Sequence, residues 1–556
     1  MSASGTTTPA AKMTDNEGKE YVFYGGSTDE SVEAGCRSLG ELIIKRLREN
    51  GDDVAYIDGL TNESITYSEL LEQSVRLANR FHRIGIKKNM MIAIMCENRL
   101  ELALIALAAT YMNAVPILLN PAYTTIELEH VLKLTQPRAV FVSSVAVKTL
   151  LKVANAIPSI KMITLLGSKE RPHKRVTLFG ELFDRNKLKN AKSFTPQPVN
   201  LKDQVALMVL SSGTTGLPKA VQLTHYNIMA VLAYIRDDLK TFSLSPTSLG
   251  LALLPFFHIY GYMILLSACC NKRTIVSLPK FEPKLFLSTI EKYKIASAAL
   301  VPPLVVFLAK HPLVEKYDLS SLMAISCGAA PLSKEVEEMV QKRLPNLVLI
   351  RVGYGMSETS LGVLTRNFGK PGSVGKVNRM FWVKVVDPET GKTLGPNQVG
   401  EICAKGPMIM RGYYKNEDET RSIIDKDGWL HTGDTGYFDE DEDFYIVDRI
   451  KDLIKYRGFQ VPPAELEAVL LTNPKIKDAA VIGVKDEVSG ELPLAFVVAQ
   501  PEVELTETEV IDWVASRLSK HKHLHGGVRM IAEIPKTASG KILRRELRTM
   551  IAKSKL

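Results

Sequence analysis

The sequence predicts an α/β protein: a large βα-layered domain, a β-rich part near its end, and a small α+β unit after it. Three observations carry this reading. From about Leu39 to Thr365, amphipathic helical stretches alternate with short apolar runs, the pattern of βα units and largely parallel sheets. Between Gly372 and Phe444 the chain turns Gly-rich and strand-like. Beyond Arg449 a third texture begins and reads as a compact unit of its own.

Residues 1–38 are expected to be a flexible tail. Met1 to Lys19 is Ser, Thr and Ala followed by charges, without the apolar core of a signal peptide, and Met13 offers a second start. The large domain is placed at 39–447, with strands at Met91–Met95, Ala139–Val142, Val205–Leu210 and Thr274–Ser277, and its β-rich part at about 372–447. Val383–Val386 and Glu401–Ala404 are strands of that part. In the last unit, 448–556, Pro462-Pro463 precede a helix over Ala464–Leu471, and strands follow at Ala479–Val484 and Leu494–Val498. Thr506-x-x-Glu509 is a capping box, and in the helix it opens Val510, Ile511, Val514 and Leu518 share one face.

With 46% hydrophobic and 24% charged residues over 556, composition excludes a disordered, collagenous or disulfide-stapled chain. Lys+Arg 70 against Asp+Glu 61 leaves +9, spread along the chain instead of gathered in a basic arm, so nucleic acid is not implied. The 6 cysteines form no C-x-x-C pair, and the adjacent Cys269-Cys270 suit a reducing compartment. No Asp, Glu, Lys or Arg occurs from Thr241 to Asn271, but Pro246, Pro255, His258 and Gly261 interrupt the run, which suits a buried strand, loop and core helix better than a membrane span. An integral membrane protein is not expected. Ser554-Lys555-Leu556, the last three residues, match the peroxisomal address read by an import receptor, so the expected location is the peroxisome.

Chemistry concentrates in a few stretches. Ser211-Ser212-Gly213-Thr214-Thr215-Gly216-Leu217-Pro218-Lys219 follows an apolar run: its glycines let backbone N–H groups approach an anion, its hydroxyls donate to phosphate or reach a metal, and its lysine adds charge. It is a phosphate-gripping loop but not a Walker A loop, since Ala220 follows the lysine where that motif has Ser or Thr. In Gly353-Tyr354-Gly355-Met356-Ser357-Glu358, the tyrosine can stack on a base and the carboxylate can bind Mg2+, a hard cation; alone, the group reads equally as a turn with a packed ring. In Gly428 to Asp434, the terminal carboxylate can accept two ribose hydroxyls, although a turn residue is the default for such an aspartate. His521-x-His523-x-His525 has the spacing of a strand-borne zinc site, but surrounding lysines and glycines favour a basic surface loop.

Taken in order, the hydroxyl-rich loop, the Tyr354 to Glu358 group, Trp429 to Asp434, the run Asp448 to Gly458 and Ser539-Gly540-Lys541 resemble the adenylate-forming superfamily from about Leu39 onward, most closely coumarate-CoA ligases, peroxisomal acyl-CoA synthetases and beetle luciferases. The resemblance implies a large domain of two βα-layered subdomains plus the β-rich one, and a small mobile lid hinged at Asp448. It also implies a reaction in two steps: a carboxylate attacks ATP to give acyl-adenylate and pyrophosphate, and the thiol of coenzyme A then displaces AMP. By the same resemblance Ser211, Ser212, Gly213, Thr214, Thr215, Gly216 and Lys219 hold phosphates, while Thr214 and Glu358 organise Mg2+. Gly328, Ala329 and Ala330 with Gly353, Tyr354, Gly355, Met356 and Ser357 bind the adenine side. Asp434 and Arg449 hold ribose, with Lys451, Lys455 and Lys541 completing the nucleotide site. Lys541, His258 and Lys455 are the implied catalytic residues. Phe257, His258, Tyr260, Leu361 and Gly362 line the acyl pocket, and Lys280, Arg457 and Gly458 contact coenzyme A.

Departures narrow the substrate. Where luciferases carry an arginine and a serine, this chain has Val231 and Leu361, and Phe257 replaces a histidine. An apolar lining leaves a luciferin's ring nitrogen or hydroxyl unpaired, so a fatty or arylpropenoic acid is expected, with a luciferase-type monooxygenase as the alternative. Arg457, where coumarate-type ligases usually have lysine, keeps the charge.

Overall fold

The computed structural model describes residues 21–28, 31–183, 193–212, 217–241, 248–486, 488–537 and 540–554. An eight-stranded sheet runs Gly412–Tyr413, Pro218–Thr224, Val205–Ser212, Val115–Leu119, Met91–Met95, Ala139–Ser143, Met162–Leu166, Val176–Leu178. A nine-stranded sheet centres on Ala324–Cys327, Ser297–Leu300, Gly250–Ala252 and Ile275–Ser277, all parallel. These are the two βα layers, and the apolar runs of the sequence supply their strands.

One continuous core joins them. The helices Leu100–Tyr111 and Ile259–Cys270 are apolar on every side because each is enclosed between layers. The uncharged stretch around Pro255 is thus a strand, a loop and a core helix. Among the described residues no helix is long and apolar enough to cross a membrane.

The β-rich part is a five-stranded antiparallel sheet in the order Phe23–Tyr24, Trp382–Val386, Gly400–Lys405, Leu430–Phe438, Phe444–Arg449. Its first strand corrects the expectation of a flexible tail over 1–38. Phe23 pairs with Val383, is 3% exposed, and packs edge-on against Phe438 and Phe444. Full burial of such a ring stabilises by about 1.5–3 kcal/mol, which is enough to pin a short segment. Residues 1–20 lie outside the described residues. The strand Lys376–Val377, within the stretch read as β-rich, is instead the edge of the nine-stranded sheet.

The small unit has the expected α+β build. Ile476–Asp486 and Gly490–Ala499 form a long hairpin, Gly527–Met530 adds a parallel strand, and Pro463–Leu471 and Glu507–Ala515 pack on it. The capping box at Thr506 and Glu509 is closed in both directions. Val510 and Val514 are buried in its core, and Ile511 and Leu518 pack against that core.

Candidate active site

The strands Val205–Ser212 and Pro218–Thr224 form a hairpin with Ser211 opposite Lys219. Gly213, Thr214, Thr215 and Gly216, its tip, lie outside the described residues, as does the side chain of Ser212. Lys219 is paired with Glu419 and stands 5.2 Å above the Tyr413 ring. The Tyr413 hydroxyl donates to Glu358 Oε1 at 2.8 Å and also bonds the Ser211 hydroxyl. Glu358 is therefore held beside the base of the loop although it lies far from Ser211 in sequence.

Glu358 is 4% exposed, and no lysine, arginine or histidine among the described residues pairs with it. A buried carboxylate with no cation partner among the described residues suits a hard divalent cation. The sequence alone pointed to neither Tyr413 nor Glu419, because both belong to the segment after Gly412 that pairs with the hairpin only through the sheet edge.

The nucleotide side is built from strand ends. Ala324–Cys327 runs parallel to Leu349–Gly355, so Gly328, Ala329 and Ala330 emerge beside Gly353 and Tyr354. A Cβ on Gly328 would lie 3.3 Å from the Gly353 carbonyl oxygen and 3.4 Å from the Tyr260 ring, and one on Gly355 would collide with the carbonyl of Leu361. Glycine at both places permits the close approach. Met356 and Ser357 lead from the strand into the short turn that carries Glu358.

Tyr354 donates its hydroxyl to Asp434 Oδ2 at 2.8 Å, and Arg449 Nε lies 3.2 Å from Asp434 Oδ1. Asp434 and Arg449 are register partners on adjacent strands, which explains why residues distant in sequence meet.

Behind Asp434 stands a brace that sequence reasoning missed. Glu401 accepts the Gly433 N–H on Oε1 at 2.9 Å and bonds His431 Nδ1 through Oε2 at 2.8 Å. Cys403 Sγ is 3.5 Å from the same nitrogen, and Asp425 lies 3.6 Å from Nε2. Hydrogen bonds to Cys403 and Glu401 push the imidazole pKa up to about 10. Glu401, Cys403 and His431 are near enough to share a metal ion, but each is already engaged inside the protein, and the net effect is to fix the Gly433 turn.

Lys541 reaches this site from the small unit. Gly540 seats against the large domain, where a Cβ would come 3.1 Å from Val301 Cγ2, and the Thr537 hydroxyl accepts the Lys541 N–H at 3.1 Å. Burial first, and the charge of Arg449 second, pull the Lys541 pKa down to about 8. Burial and Arg449 also lower Lys451. Arg449, Lys451 and Lys541 thus gather around Asp434 and Asp452, three cations against two carboxylates, an arrangement suited to an anionic ligand.

His258 occupies the N-cap position of the helix Ile259–Cys270 without a side-chain cap bond, its Nε2 is buried with no partner among the described residues, and burial pulls its pKa down to about 4. Phe257 lies 4.8 Å from its ring, and Tyr260 donates to the Ser326 carbonyl at 3.2 Å. An orphaned polar atom so placed fits a ligand group. Val231 is fully buried and Leu361 packs against the core, while Gly362 accepts from Asn378 at 2.8 Å. One polar element enters this apolar side: Arg351, paired with Asp238, donates to the Tyr234 hydroxyl at 2.8 Å. Tyr260 is near enough to feel the Arg351 charge.

Lys455, Arg457 and Gly458 stand apart from this cluster. Lys455 is an exposed residue of the strand Ile454–Tyr456, and Arg457 and Gly458 form the turn that joins it to Phe459–Val461, with Arg457 Nε on the Ser489 hydroxyl at 3.2 Å. Lys280 is also exposed, just before the helix Pro283–Tyr293. Asp448 ties the two parts together: its carbonyl accepts from Thr435, and its carboxylate caps the helix Pro463–Leu471 at Ala464 N, 3.0 Å. The three histidines read as a basic loop use their rings on neighbours, His521 stacked on Phe459 and His525 on Tyr456.

Residues 44–414 match the family described as AMP-binding enzyme, and residues 465–541 match its C-terminal domain. The chain belongs to the AMP-binding enzyme family. It is an adenylate-forming enzyme of the acid–CoA ligase family, and luciferases share that family.

Among its relatives, a luciferin 4-monooxygenase of Photuris pensylvanica is 43% identical over 550 residues, covering 98% of this chain and 97% of that protein. A probable 4-coumarate–CoA ligase 1 of Dictyostelium discoideum is 40% identical over 523 residues, covering 92% and 95%. Of solved structures, the anthranilate CoA ligase AuaEII with anthranoyl-AMP aligns with TM-score 0.85 at 21% identity over 93% of this chain and 98% of that one. At that identity the likeness concerns the fold. The luciferase-like enzyme from the nonluminescent Zophobas morio mealworm aligns with TM-score 0.70 at 28% identity over 78% and 100%. In the site described above, Lys541 from the small unit lies close enough to the strand-borne Asp434 for each to feel the other's charge.

Proposed function

We propose that this enzyme is an ATP-dependent acid–CoA ligase that activates a fatty or arylpropenoic acid as its adenylate and transfers the acyl group to coenzyme A. The observation that carries the choice of acid is the apolar character of Val231, fully buried, and of Leu361, half-buried against the core. An alkyl chain loses nothing there, whereas a polar heteroaromatic acid leaves groups unpaired.

In the adenylation step Asp434 accepts the ribose hydroxyls, Tyr354 packs against the base, and Lys541 faces the charge that develops between carboxylate and α-phosphate. Placing a cation there before reaction lowers the barrier by electrostatic stabilisation. His258 orients the acid. Glu358 with Thr214 would hold Mg2+, which would supply charge neutralisation for phosphates gripped by the 211–219 loop. For thiol transfer, the small domain turns about Asp448 and brings Lys455, Arg457 and Gly458 to the cleft, with Lys280 toward the nucleotide of coenzyme A. Peroxisomal import through Ser554-Lys555-Leu556 belongs to the same reading; Lys555 and Leu556 lie outside the described residues, and deleting the tripeptide from a fluorescent fusion is expected to leave it in the cytosol.

A luciferase activity is the second reading, favoured by the 43% identity to the Photuris enzyme. One panel decides. Purified protein with ATP, Mg2+, coenzyme A and acids from short to long chain plus cinnamates should release AMP and pyrophosphate and form thioester. Light with luciferin and no thioester with any acid would reverse the choice.

A further inference from the structure

Lys310 ends the helix Pro302–Lys310 of the large domain, yet all its recorded hydrogen bonds go to the small one. Its ammonium donates to the carbonyl oxygens of Leu471, of Asn473 at 3.2 Å and of Ile476 at 3.3 Å. These carbonyls lie where the helix Pro463–Leu471 ends and the strand Ile476–Asp486 begins. The last carbonyls of a helix lack intrahelical partners and carry the negative end of its dipole, so a group with three N–H donors and a positive charge matches them. Burial pulls the Lys310 pKa down to about 8, and no carboxylate contributes to offset it. The lid carbonyls are its compensation.

The same helix touches the lid at its other end. Gly540, next to Lys541, seats against Val301 and Pro303 at the helix start. Nine residues of helix rise about 13 Å, so two contacts that far apart on one rigid rod fix the orientation of the small domain as well as its position. One contact is beside the lysine that enters the nucleotide site. The other is the Lys310 grip.

We propose that Lys310 is a positioning residue that latches the small domain in the orientation that delivers Lys541 to the adenylation site. This rests on the two-conformation reading given under the proposed function. Release is built in: Lys310 borders an open cavity of about 660 Å³ with Pro312, Met339 and Lys342, so water reaches the ammonium as the lid departs. The latch is reversible because the desolvation of Lys310 exists only in the docked state.

The test uses the full chain as wild type, Lys310→Met, Lys310→Gln and Lys310→Arg, with one spin or dye label on each domain. With ATP bound, Lys310→Met is expected to lower the docked fraction relative to undocked about tenfold, Lys310→Gln less, and Lys310→Arg to restore part of it. Acid-dependent ATP–pyrophosphate exchange should fall in parallel. Thioester formation from pre-made dodecanoyl- or cinnamoyl-adenylate and coenzyme A should not fall. An unchanged distance distribution in both Lys310→Met and Lys310→Gln, or an equal loss in both half-reactions, overturns the latch. If wild type makes no thioester with any acid, the ligase reading fails instead, and the distance measurement still decides the role of Lys310.

Discussion

Tyr354 and Asp434 are joined by a hydrogen bond of 2.8 Å between the phenol and carboxylate Oδ2, while Oδ1 faces Arg449. In the proposed function this ring packs on adenine and this carboxylate holds ribose, so the hydrogen bond sets the two groups at a fixed separation before nucleotide arrives. Asp434→Asn keeps the shape but weakens acceptance of two hydroxyls, and is expected to raise the KM for ATP about tenfold to a hundredfold. Tyr354→Phe frees the carboxylate without removing it and should raise KM several-fold less. Initial-rate kinetics at saturating acid distinguish the two, and equal effects would show that the phenol contributes as much as the carboxylate.

Lys541 titrates near 8 because burial and then the neighbouring Arg449 disfavour its charge. If adenylation needs the ammonium form, its rate should hold below about pH 8 and fall as pH rises through it. Lys541→Arg, charged throughout the range, should have a lower rate and a flat profile over pH 7–10. Pyrophosphate release against pH checks this; an unchanged inflection in the arginine variant assigns the titration to another group.

The Glu401 and His431 brace makes an opposite prediction for stability. His431 is raised to about 10 by Cys403 and Glu401, above its unfolded value near 6.5, so its contribution is fully present below pH 6.5 and is lost as pH rises through 10. His431→Gln should remove that part of the pH dependence in urea titrations. Because Glu401 Oε1 also holds the Gly433 N–H, Glu401→Ala should raise the KM for ATP about tenfold, while Glu401→Gln, which keeps an acceptor, should raise it less.

Much of this was legible in the chain. Apolar runs such as Met91–Met95 became central strands, the Thr506 and Glu509 box opened the helix it announced, and motif order assigned the family. These signals are local or depend only on succession. What escaped is set by pairing between distant segments. Phe23 and Tyr24 give no periodicity in two residues, and their strand exists only because Trp382 and Val383 lie opposite. Tyr413 reaches Glu358 through a sheet edge, His431 meets Cys403 by strand register, and Lys310 has no meaning until two domains dock. The motifs that carry the family resemblance were visible, while the contacts that hold their residues in place were not.

His258 combines the role proposed for it with a structural cost. Its Nε2 is buried with no partner among the described residues, and leaving such an atom unsatisfied costs about 1–3 kcal/mol. Replacement by an apolar side chain of similar size removes that cost, so His258→Leu should unfold at a higher temperature than wild type when no acid is bound. The same change deprives the acid carboxylate of its partner and should lower the adenylation rate by tenfold or more, on the order of one charge-assisted hydrogen bond. It should also shrink the rise in melting temperature that wild type shows with ATP and acid together, since ligand stabilisation follows binding. Calorimetric scans with and without ligands measure both effects. A variant that is less stable when free, and equally stabilised by ligand, would mean that the imidazole is a packing element and that the carboxylate is oriented elsewhere.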